Sequence, residues 1–140
     1  MEGCVFCKIV NNEIPCAKVY EDDYTIAFLD IAPATPRKGH VLVVPKQHCE
    51  NLSDVEDDVL ANTIKAVKKV AKALMKYADG VNLVQNNGEA ANQLVKHLHF
   101  HLVPRFKQDN VKLGTWETFT YNDGEIGEIA EKIKKFLNEN

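Results

Sequence analysis

The sequence lacks any long apolar run: none of its stretches approaches the roughly 18 to 20 uninterrupted apolar residues that a membrane-spanning helix requires. It also lacks a basic N-terminal segment followed by an apolar stretch and a cleavage site, which is the pattern of a secretory signal. From these two absences we expect a cytoplasmic protein that has no membrane partner.

Low-complexity segments, internal repeats and Gly/Ser-rich linkers are missing as well, so nothing in the 140 residues marks a domain boundary. A chain of this length with 45% hydrophobic residues can bury a core as one domain, residues 1–140. An excess of positive charge is also absent, because the formal net charge is -3. This balance disfavours a nucleic-acid partner bound through a broad basic face and favours a small ligand.

Cysteine is scarce, and the four that occur are unevenly placed: Cys4 and Cys7 form a C-x-x-C pair, whereas Cys16 and Cys49 stand alone. Thiols of a cytoplasmic chain stay reduced, so the pair indicates metal or thiol chemistry before a disulfide. Two thiols are only half of a tetrahedral metal site, and the pair alone is therefore a weak signal. The two single cysteines are expected to be ordinary small residues.

Hydrophobic periodicity predicts five strands. The first two have the pattern of a hairpin, the third is a compact apolar run typical of a largely buried strand, and a turn signal at 86–88 lies between the last two. The predicted strands span residues 17–20, 24–29, 40–44, 81–84 and 98–103.

Two helices are predicted from apolar residues at steps of three and four. The first begins at Ser53, where Ser53 and Glu56 have the spacing of a capping box, and ends near Gly80. The second follows Gly124 and is expected to dock an apolar stripe on the sheet, namely Ile126, Ile129, Ile133, Phe136 and Leu137. These elements predict the α+β class, an antiparallel sheet with the long helix and the C-terminal helix packed on it.

Three of the five histidines, His97, His99 and His101, alternate with apolar residues along the last predicted strand. Alternate side chains of a strand share a face, so the three imidazoles are expected to line up with neighbours roughly 7 Å apart. Because imidazole titrates near neutrality, such a row suits a nucleophile, an acid–base group or a metal ligand. A purely structural row and a purely zinc-binding row remain alternatives.

The segment His-Leu-His-Phe-His-Leu-Val at 97–103 resembles the His-φ-His-φ-His-φ-φ signature of the histidine triad (HIT) family. Other segments resemble the Hint-like branch of that family and its bacterial relatives in the same order, at 6–10, 27–31, 39–46 and 103–105. The resemblance covers most of the chain. It implies a HIT-like fold and a homodimer.

The resemblance also implies a covalent mechanism. His99 would attack the α-phosphorus of a nucleotide, and water would resolve the nucleotidyl-histidine intermediate. The main-chain carbonyl of His97 would fix the tautomer of His99. His101 and His40 would contact phosphate oxygens or the neighbouring ring, and Gln93 would hydrogen-bond the phosphate or the bridging atom.

For the nucleotide itself, the resemblance implies that Asp30 accepts hydrogen bonds from the ribose hydroxyls. Apolar side chains would surround a purine base, and Asn86 would add a polar contact. The implied nucleotide-binding residues are Phe6, Ile9, Phe28, Asp30, Ile31, Asn86, Gln93, His99 and His101. Without the resemblance, the apolar members would be assigned to the core and Asn86 to an ordinary turn.

A structural zinc site is a further implication, with Cys4, Cys7, His48 and His97 as its ligands. Four protein ligands leave no open position for water, so this zinc would not activate a nucleophile. Reduced thiols without a metal remain the alternative.

The implied function is a purine nucleotide hydrolase or transferase that cleaves AMP phosphoramidates or related AMP esters. Alternatives are a dinucleoside polyphosphate hydrolase, a nucleotide-binding regulatory protein with incidental hydrolysis, and a zinc-stabilised structural module. Comparing the turnover of an AMP phosphoramidate with that of a dinucleoside polyphosphate distinguishes the implied function from the first alternative. AMP binding without turnover would indicate the second. An AMP-induced thermal shift would exclude the third.

The sequence departs from the family pattern at three places. Leu94 stands where the Hint-like branch usually carries a serine that assists the leaving amine, and Asn92 stands where glycine is common. The loop from residue 30 to residue 40 is two residues longer than usual, with Arg37 and Lys38 as the extra pair. These cations could meet a phosphate-bearing substituent or lie in a solvated loop.

Overall fold

A computed structural model describes residues 3–139 of the chain. These residues form five strands, three α-helices and one short 3-10 turn at Glu89–Ala91. The helices are α1 (Val5–Val10), α2 (Asp57–Tyr77) and α3 (Glu125–Leu137). The strands are β1 (Lys18–Glu21), β2 (Thr25–Leu29), β3 (Val41–Pro45), β4 (Gly80–Val84) and β5 (Phe100–Arg105).

The strands form one antiparallel sheet in the order β1-β2-β3-β5-β4. β5 lies between β3 and β4, and His101 is paired with Leu42 on one side and with Val84 on the other. The antiparallel α+β architecture predicted from the sequence is confirmed. The last strand starts two residues later than predicted, so His97 and His99 lie in the segment that precedes it and His101 alone lies within it.

The sheet is covered on both faces, and β3 shows how the sequence arranges this. Val41 and Val43 pack toward α2, whereas Leu42 and Val44 join the cluster formed with α1. Successive side chains of a strand point to opposite faces, so a strand buried on both sides must be apolar at every position. This explains the uninterrupted apolar run of β3.

The capping box predicted at the start of the long helix is wrong. α2 begins at Asp57, and its N-cap residue Glu56 makes no side-chain cap bond. The Ser53 hydroxyl instead donates to Asn51 Oδ1 at 2.6 Å, while Asp54 accepts the main-chain N–H of Asn51 at 2.9 Å. A local turn has therefore taken the polar groups that the capping box would have used. The helix ends at Tyr77, close to the predicted end at Gly80.

The C-terminal helix forms, but its predicted docking on the sheet is wrong. Its apolar residues are exposed, with Ile126 at 60% and Phe136 at 66% of full exposure. Trp116 and Phe119, which precede the helix, are exposed as well. The centre of the sheet offers no free apolar face to α3, because α1 and α2 already cover it.

Among residues 3–139, none of the helices is long and apolar enough to cross a membrane.

Candidate functional site

A cavity of about 820 Å³ lies between α1, the β2–β3 loop and the residues around β5. This volume is within the range of small-molecule sites. Helix α1 contributes Phe6 and Ile9 to an apolar wall, and β2 contributes Phe28. The polar lining consists of Asp30, His40, Asn86, Asn92, His99 and His101. An apolar wall next to a row of imidazoles suits a ligand that has one flat apolar part and one polar or charged part.

The structure brings most of the sequence-predicted residues to this cavity. Every member of the implied nucleotide-binding set except Gln93 lines it, including the exposed Ile31 at its rim. Sequence reasoning missed part of the wall, namely Val5, Ile14, Pro15, Cys16 and Ala17. Val5 belongs to α1, whose six residues are too few for a helical period to be recognised in the sequence, and the other four lie in the connection between α1 and β1.

The side chain of Gln93 hydrogen-bonds to main-chain groups and does not line the cavity. Its side-chain nitrogen donates to Glu50 O at 2.7 Å and to Val95 O at 3.0 Å, and its oxygen accepts the N–H of Gly88 at 2.8 Å. These bonds use both ends of the amide to fasten the 88–95 loop. The phosphate contact implied by the family resemblance would require some of them to break.

His99 is held in one tautomer by its own chain. Its Nδ1 lies 2.7 Å from the carbonyl oxygen of His97. A carbonyl only accepts hydrogen bonds, so Nδ1 carries the proton and Nε2 keeps its lone pair. The ring is buried edge-on against Phe6, with centroids 5.1 Å apart, and burial lowers its pKa. His99 is therefore neutral at pH 7 and has the lone pair that a nucleophile needs.

His40 and His101 form a hydrogen-bonded pair with a defined direction. The N–H of Ala34 donates to His40 Nδ1 at 3.1 Å, which leaves the ring proton of neutral His40 on Nε2. That nitrogen lies 2.9 Å from His101 Nδ1, so His101 accepts there and carries its own proton on Nε2. Burial lowers the pKa of His101 to about 4 and also lowers that of His40. Both rings are therefore neutral near pH 7.

Asp30 lies beside this pair. Its main-chain N–H donates to His40 O at 2.8 Å, its Oδ1 accepts the N–H of Ala32, and its Oδ2 is 3.7 Å from His40 Nε2. Asp30, His40 and His101 are close enough to hold a metal ion. The proton on His40 Nε2 faces the other ligand atoms, however, so this arrangement suits hydrogen bonding better than metal binding.

A second cluster, the Cys2His2 cluster, consists of Cys4, Cys7, His48 and His97, whose ligand atoms all lie within 4.8 Å of one another. Cys4 caps α1, since its Sγ accepts the N–H of Cys7 at 3.3 Å. His97 is fully buried, and its Nε2 donates to Pro45 O at 2.8 Å. The other ring nitrogen therefore has a lone pair, and it points at Cys4 Sγ 3.2 Å away.

The donor set of the Cys2His2 cluster fits a metal ion. Two thiols and two imidazoles match the ligands of tetrahedral structural sites, and a carbonyl partner on the distal nitrogen is the usual support for a metal-binding histidine. Burial raises the pKa of the Cys7 thiol, so a bound cation would be needed to keep it as a thiolate. The sequence-predicted ligands can thus hold a metal.

The departures from the family pattern also have defined positions. Leu94 lines the cavity and is 90% exposed, so it offers an apolar surface where a hydroxyl would stand. Asn92 has a φ of +67°, a conformation that glycine adopts without strain. Arg37 does not line the cavity, because its guanidinium lies 4.3 Å from the centre of the Phe106 ring. Of the single cysteines, Cys49 is buried in the core.

Comparison with known proteins decides the family. The HIT domain model matches residues 11–108, well over half of the chain. The chain is 41% identical over 132 residues to the adenosine 5'-monophosphoramidase of Schizosaccharomyces pombe, with 94% of this chain and 96% of that protein covered. This chain belongs to the HIT family.

Solved structures share the fold of this HIT protein. A crystal structure from Streptococcus mutans is 43% identical and matches with a TM-score of 0.90 over 98% of this chain and 87% of that chain. A zinc-bound histidine triad family protein from Mycobacterium smegmatis is 31% identical and matches with a TM-score of 0.73 over 99% and 98% of the two chains. The family resemblance and the fold class predicted from the sequence are confirmed.

Proposed function

We propose that this HIT protein hydrolyses AMP phosphoramidates or related AMP esters through an adenylate covalently bound to His99. The observation that carries the proposal is the pairing of a nucleophile and a hydrogen-bond donor in one cavity. His99 has an unprotonated Nε2, and the adjacent His101 has a protonated one. Their ring centroids are 4.9 Å apart. The monophosphoramidase activity named for the Schizosaccharomyces pombe relative supports the same substrate class.

In the first step, His99 Nε2 attacks the α-phosphorus, and the phosphorus–nitrogen bond to the leaving amine breaks as the new bond forms. The amine leaves with a proton taken from solvent, while His101 Nε2–H donates a hydrogen bond to the phosphate oxygens, on which negative charge develops in the transition state. In the second step, water attacks the adenylate, the bond from phosphorus to His99 Nε2 breaks, and AMP and a proton are released. The reaction consumes one water and releases AMP and the amine.

The nucleotide is oriented by the rest of the cavity. The purine ring packs among Phe6, Ile9 and Phe28, where flat apolar surfaces can exclude water. The ribose hydroxyls bind the carboxylate of Asp30, and Asn86 adds a polar contact. This arrangement brings the α-phosphate to the histidine row.

The Cys2His2 cluster is proposed to hold zinc, as the zinc-bound relative from Mycobacterium smegmatis supports. When bound, zinc would supply structural cross-linking and no open coordination position. Cys4 and Cys7 would tie α1 to His97, whose carbonyl oxygen fixes the tautomer of His99. The cluster therefore acts on the nucleophile through the main chain.

A homodimer is also part of the proposal. Isolated helices shorter than about 12 to 15 residues are marginal in water, and the 13-residue α3 has no buried residue. Its exposed apolar face and the exposed Leu83 on the edge strand β4 are surfaces that a second copy could cover. Light scattering coupled to gel filtration should give twice the chain mass, and a monomer at micromolar concentration would contradict this part.

The function is tested by trapping the intermediate. The protein is mixed rapidly with a labelled AMP phosphoramidate, quenched, digested and analysed by mass spectrometry. We expect an adenylate on His99, with no label on a His99→Ala variant that retains its fold. Equal labelling of that variant, or turnover at the wild-type rate, would contradict the proposed mechanism.

A further inference from the structure

The loop between β2 and β3 determines how His40 is protonated. Its two ends are joined by the bond from Asp30 N–H to His40 O, at 2.8 Å. Within the loop, Ala34 N–H donates to His40 Nδ1 at 3.1 Å. Because this bond leaves the ring proton on Nε2, a shift of the loop backbone would change the hydrogen bond that His40 gives to His101.

Lys38, two residues before His40, has a backbone conformation that is unfavourable for residues other than glycine. Lys38 has a φ of +66° and Gly39 has a φ of +93°. Side chains other than glycine rarely adopt positive φ, and such residues persist where surrounding contacts hold them. In the part of the chain that the structure describes, one main-chain hydrogen bond within the loop holds Lys38: its N–H donates to Thr35 O at 3.1 Å. The remaining support comes from outside the loop.

Two aromatic residues, Tyr77 and Phe106, provide that support, and we refer to them as the aromatic brace. The Tyr77 hydroxyl donates to Arg37 O at 2.9 Å. The Tyr77 ring lies so close to Gly39 that a Cβ at that position would be 2.7 Å from its Cε2. Phe106 packs edge-on against Tyr77, with centroids 5.6 Å apart, and its face carries the Arg37 guanidinium.

The brace also joins the loop to the elements that carry the chemistry. Tyr77 is the last residue of α2, and Phe106 directly follows β5, the strand that contains His101. Neither aromatic residue lines the cavity. An effect of Tyr77 on the reaction must therefore pass through the loop, whereas an effect of Phe106 can also pass through β5.

We propose that Tyr77 and Phe106 are positioning residues for the reaction: by fixing residues 37–39, they keep Ala34 N–H on His40 and so keep the proton of His101 on Nε2. The kinetic consequence rests on the proposed function. The effect on the tautomer does not, since it concerns ring protons in the protein without substrate.

The test uses Tyr77→Phe, which removes the hydroxyl and leaves the ring against Gly39, together with Tyr77→Ala and Phe106→Leu. The matched control is Tyr20→Phe, which removes a hydroxyl that donates to Asp22 Oδ2 at 2.7 Å, away from the loop. We expect Tyr77→Phe to lower kcat by about three- to tenfold with little change in KM, because small displacements of a hydrogen-bond donor slow the chemical step. Tyr20→Phe should leave kcat unchanged.

The second readout is ¹⁵N NMR of the imidazole rings without substrate. Wild-type protein should show His101 protonated at Nε2 only, whereas Tyr77→Phe and Phe106→Leu should show signals of both tautomers or exchange between them. Unchanged His101 signals in every folded brace variant, or the same change in Tyr20→Phe, would overturn the proposal. If Tyr77→Ala does not fold, Tyr77→Phe and Phe106→Leu decide the result. If wild-type protein turns over no AMP substrate, the proposed function fails and the NMR comparison still decides the role of the brace.

Discussion

The His40–His101 pair and the Cys2His2 cluster are both built from imidazole side chains, but the main-chain groups that hydrogen-bond to these rings differ. A main-chain N–H faces His40 Nδ1, so the proton of His40 points toward His101. A main-chain carbonyl faces His97 Nε2, so the lone pair of His97 points toward the two thiols. The rings of the His40–His101 pair are therefore hydrogen-bonded in one direction, whereas the rings of the Cys2His2 cluster present lone pairs to a metal. The role of each histidine depends on the backbone atom beside it as much as on the histidine itself.

His99 links the two sets. It follows His97 by two residues, and its Nδ1–H donates to the His97 carbonyl, which fixes the orientation of the ring. The ring of His99 also contacts that of His101. A change in the Cys2His2 cluster should therefore affect stability first and chemistry second. A change in the His40–His101 pair should affect chemistry and leave the metal in place.

The largest effect is expected from His101→Ala. This change removes the hydrogen-bond donor beside the nucleophile, and loss of one donor to a developing negative charge typically slows a reaction by about 10²- to 10³-fold. Steady-state kinetics on an AMP phosphoramidate measures the fall in kcat, and metal analysis of the same sample should show an unchanged zinc content. A drop in zinc content equal to the drop in kcat would remove the distinction between the two sets.

Cys7→Ser changes the Cys2His2 cluster and should affect stability more than chemistry. Loss of a ligand weakens a structural metal site that stabilises the fold, so we expect the zinc content to fall and the Tm to decrease by roughly 10 °C or more. The matched control is Cys16→Ser, which changes a thiol outside the cluster and should retain zinc. Wild-type zinc content and Tm in Cys7→Ser would contradict the proposed site.

A smaller effect is expected from pH. Burial lowers the pKa of His101 to about 4, below its ordinary value of 6.5, with the rings of His99 and His40 and the Asp30 carboxylate beside it. Between these two pH values the unfolded chain binds a proton at His101 that the folded protein does not. The contribution of His101 to the free energy of unfolding is therefore fully present above pH 6.5 and decreases as the pH falls toward 4. Thermal melts from about pH 7 to about pH 5 should show a Tm decrease of several degrees.

His101→Asn should make that pH dependence shallower, because the titrating ring is gone. Zinc content measured at each pH separates this effect from protonation of the metal ligands. The same slope in wild-type protein and in His101→Asn would show that other groups cause the loss of stability.

The sequence predicted the parts of this molecule that depend on side-chain pattern. Alternation along 98–102 places Leu98, Phe100 and Leu102 in the core, as expected, and the four sequence-predicted metal ligands are close together. The apolar run of β3 predicted a strand buried on both faces. In each case the information lies in the type and spacing of the residues.

The features that sequence reasoning missed depend on main-chain geometry and on partners. Nothing in the residue types indicates that Ala34 donates to His40, because that bond depends on the path of a loop. Gln93 was expected at the phosphate, but main-chain groups around it bind both ends of its amide. The apolar stripe of α3 predicts that something covers it but does not identify the covering surface.

The most direct test of the central claim is ¹⁵N NMR of the histidine rings in zinc-loaded wild-type protein at neutral pH. We expect a proton on Nδ1 of His99, on Nε2 of His40 and His101, and on Nε2 of His97 with its Nδ1 bound to the metal. A proton on Nε2 of His99, or on Nδ1 of His40, would contradict the proposed roles of these histidines.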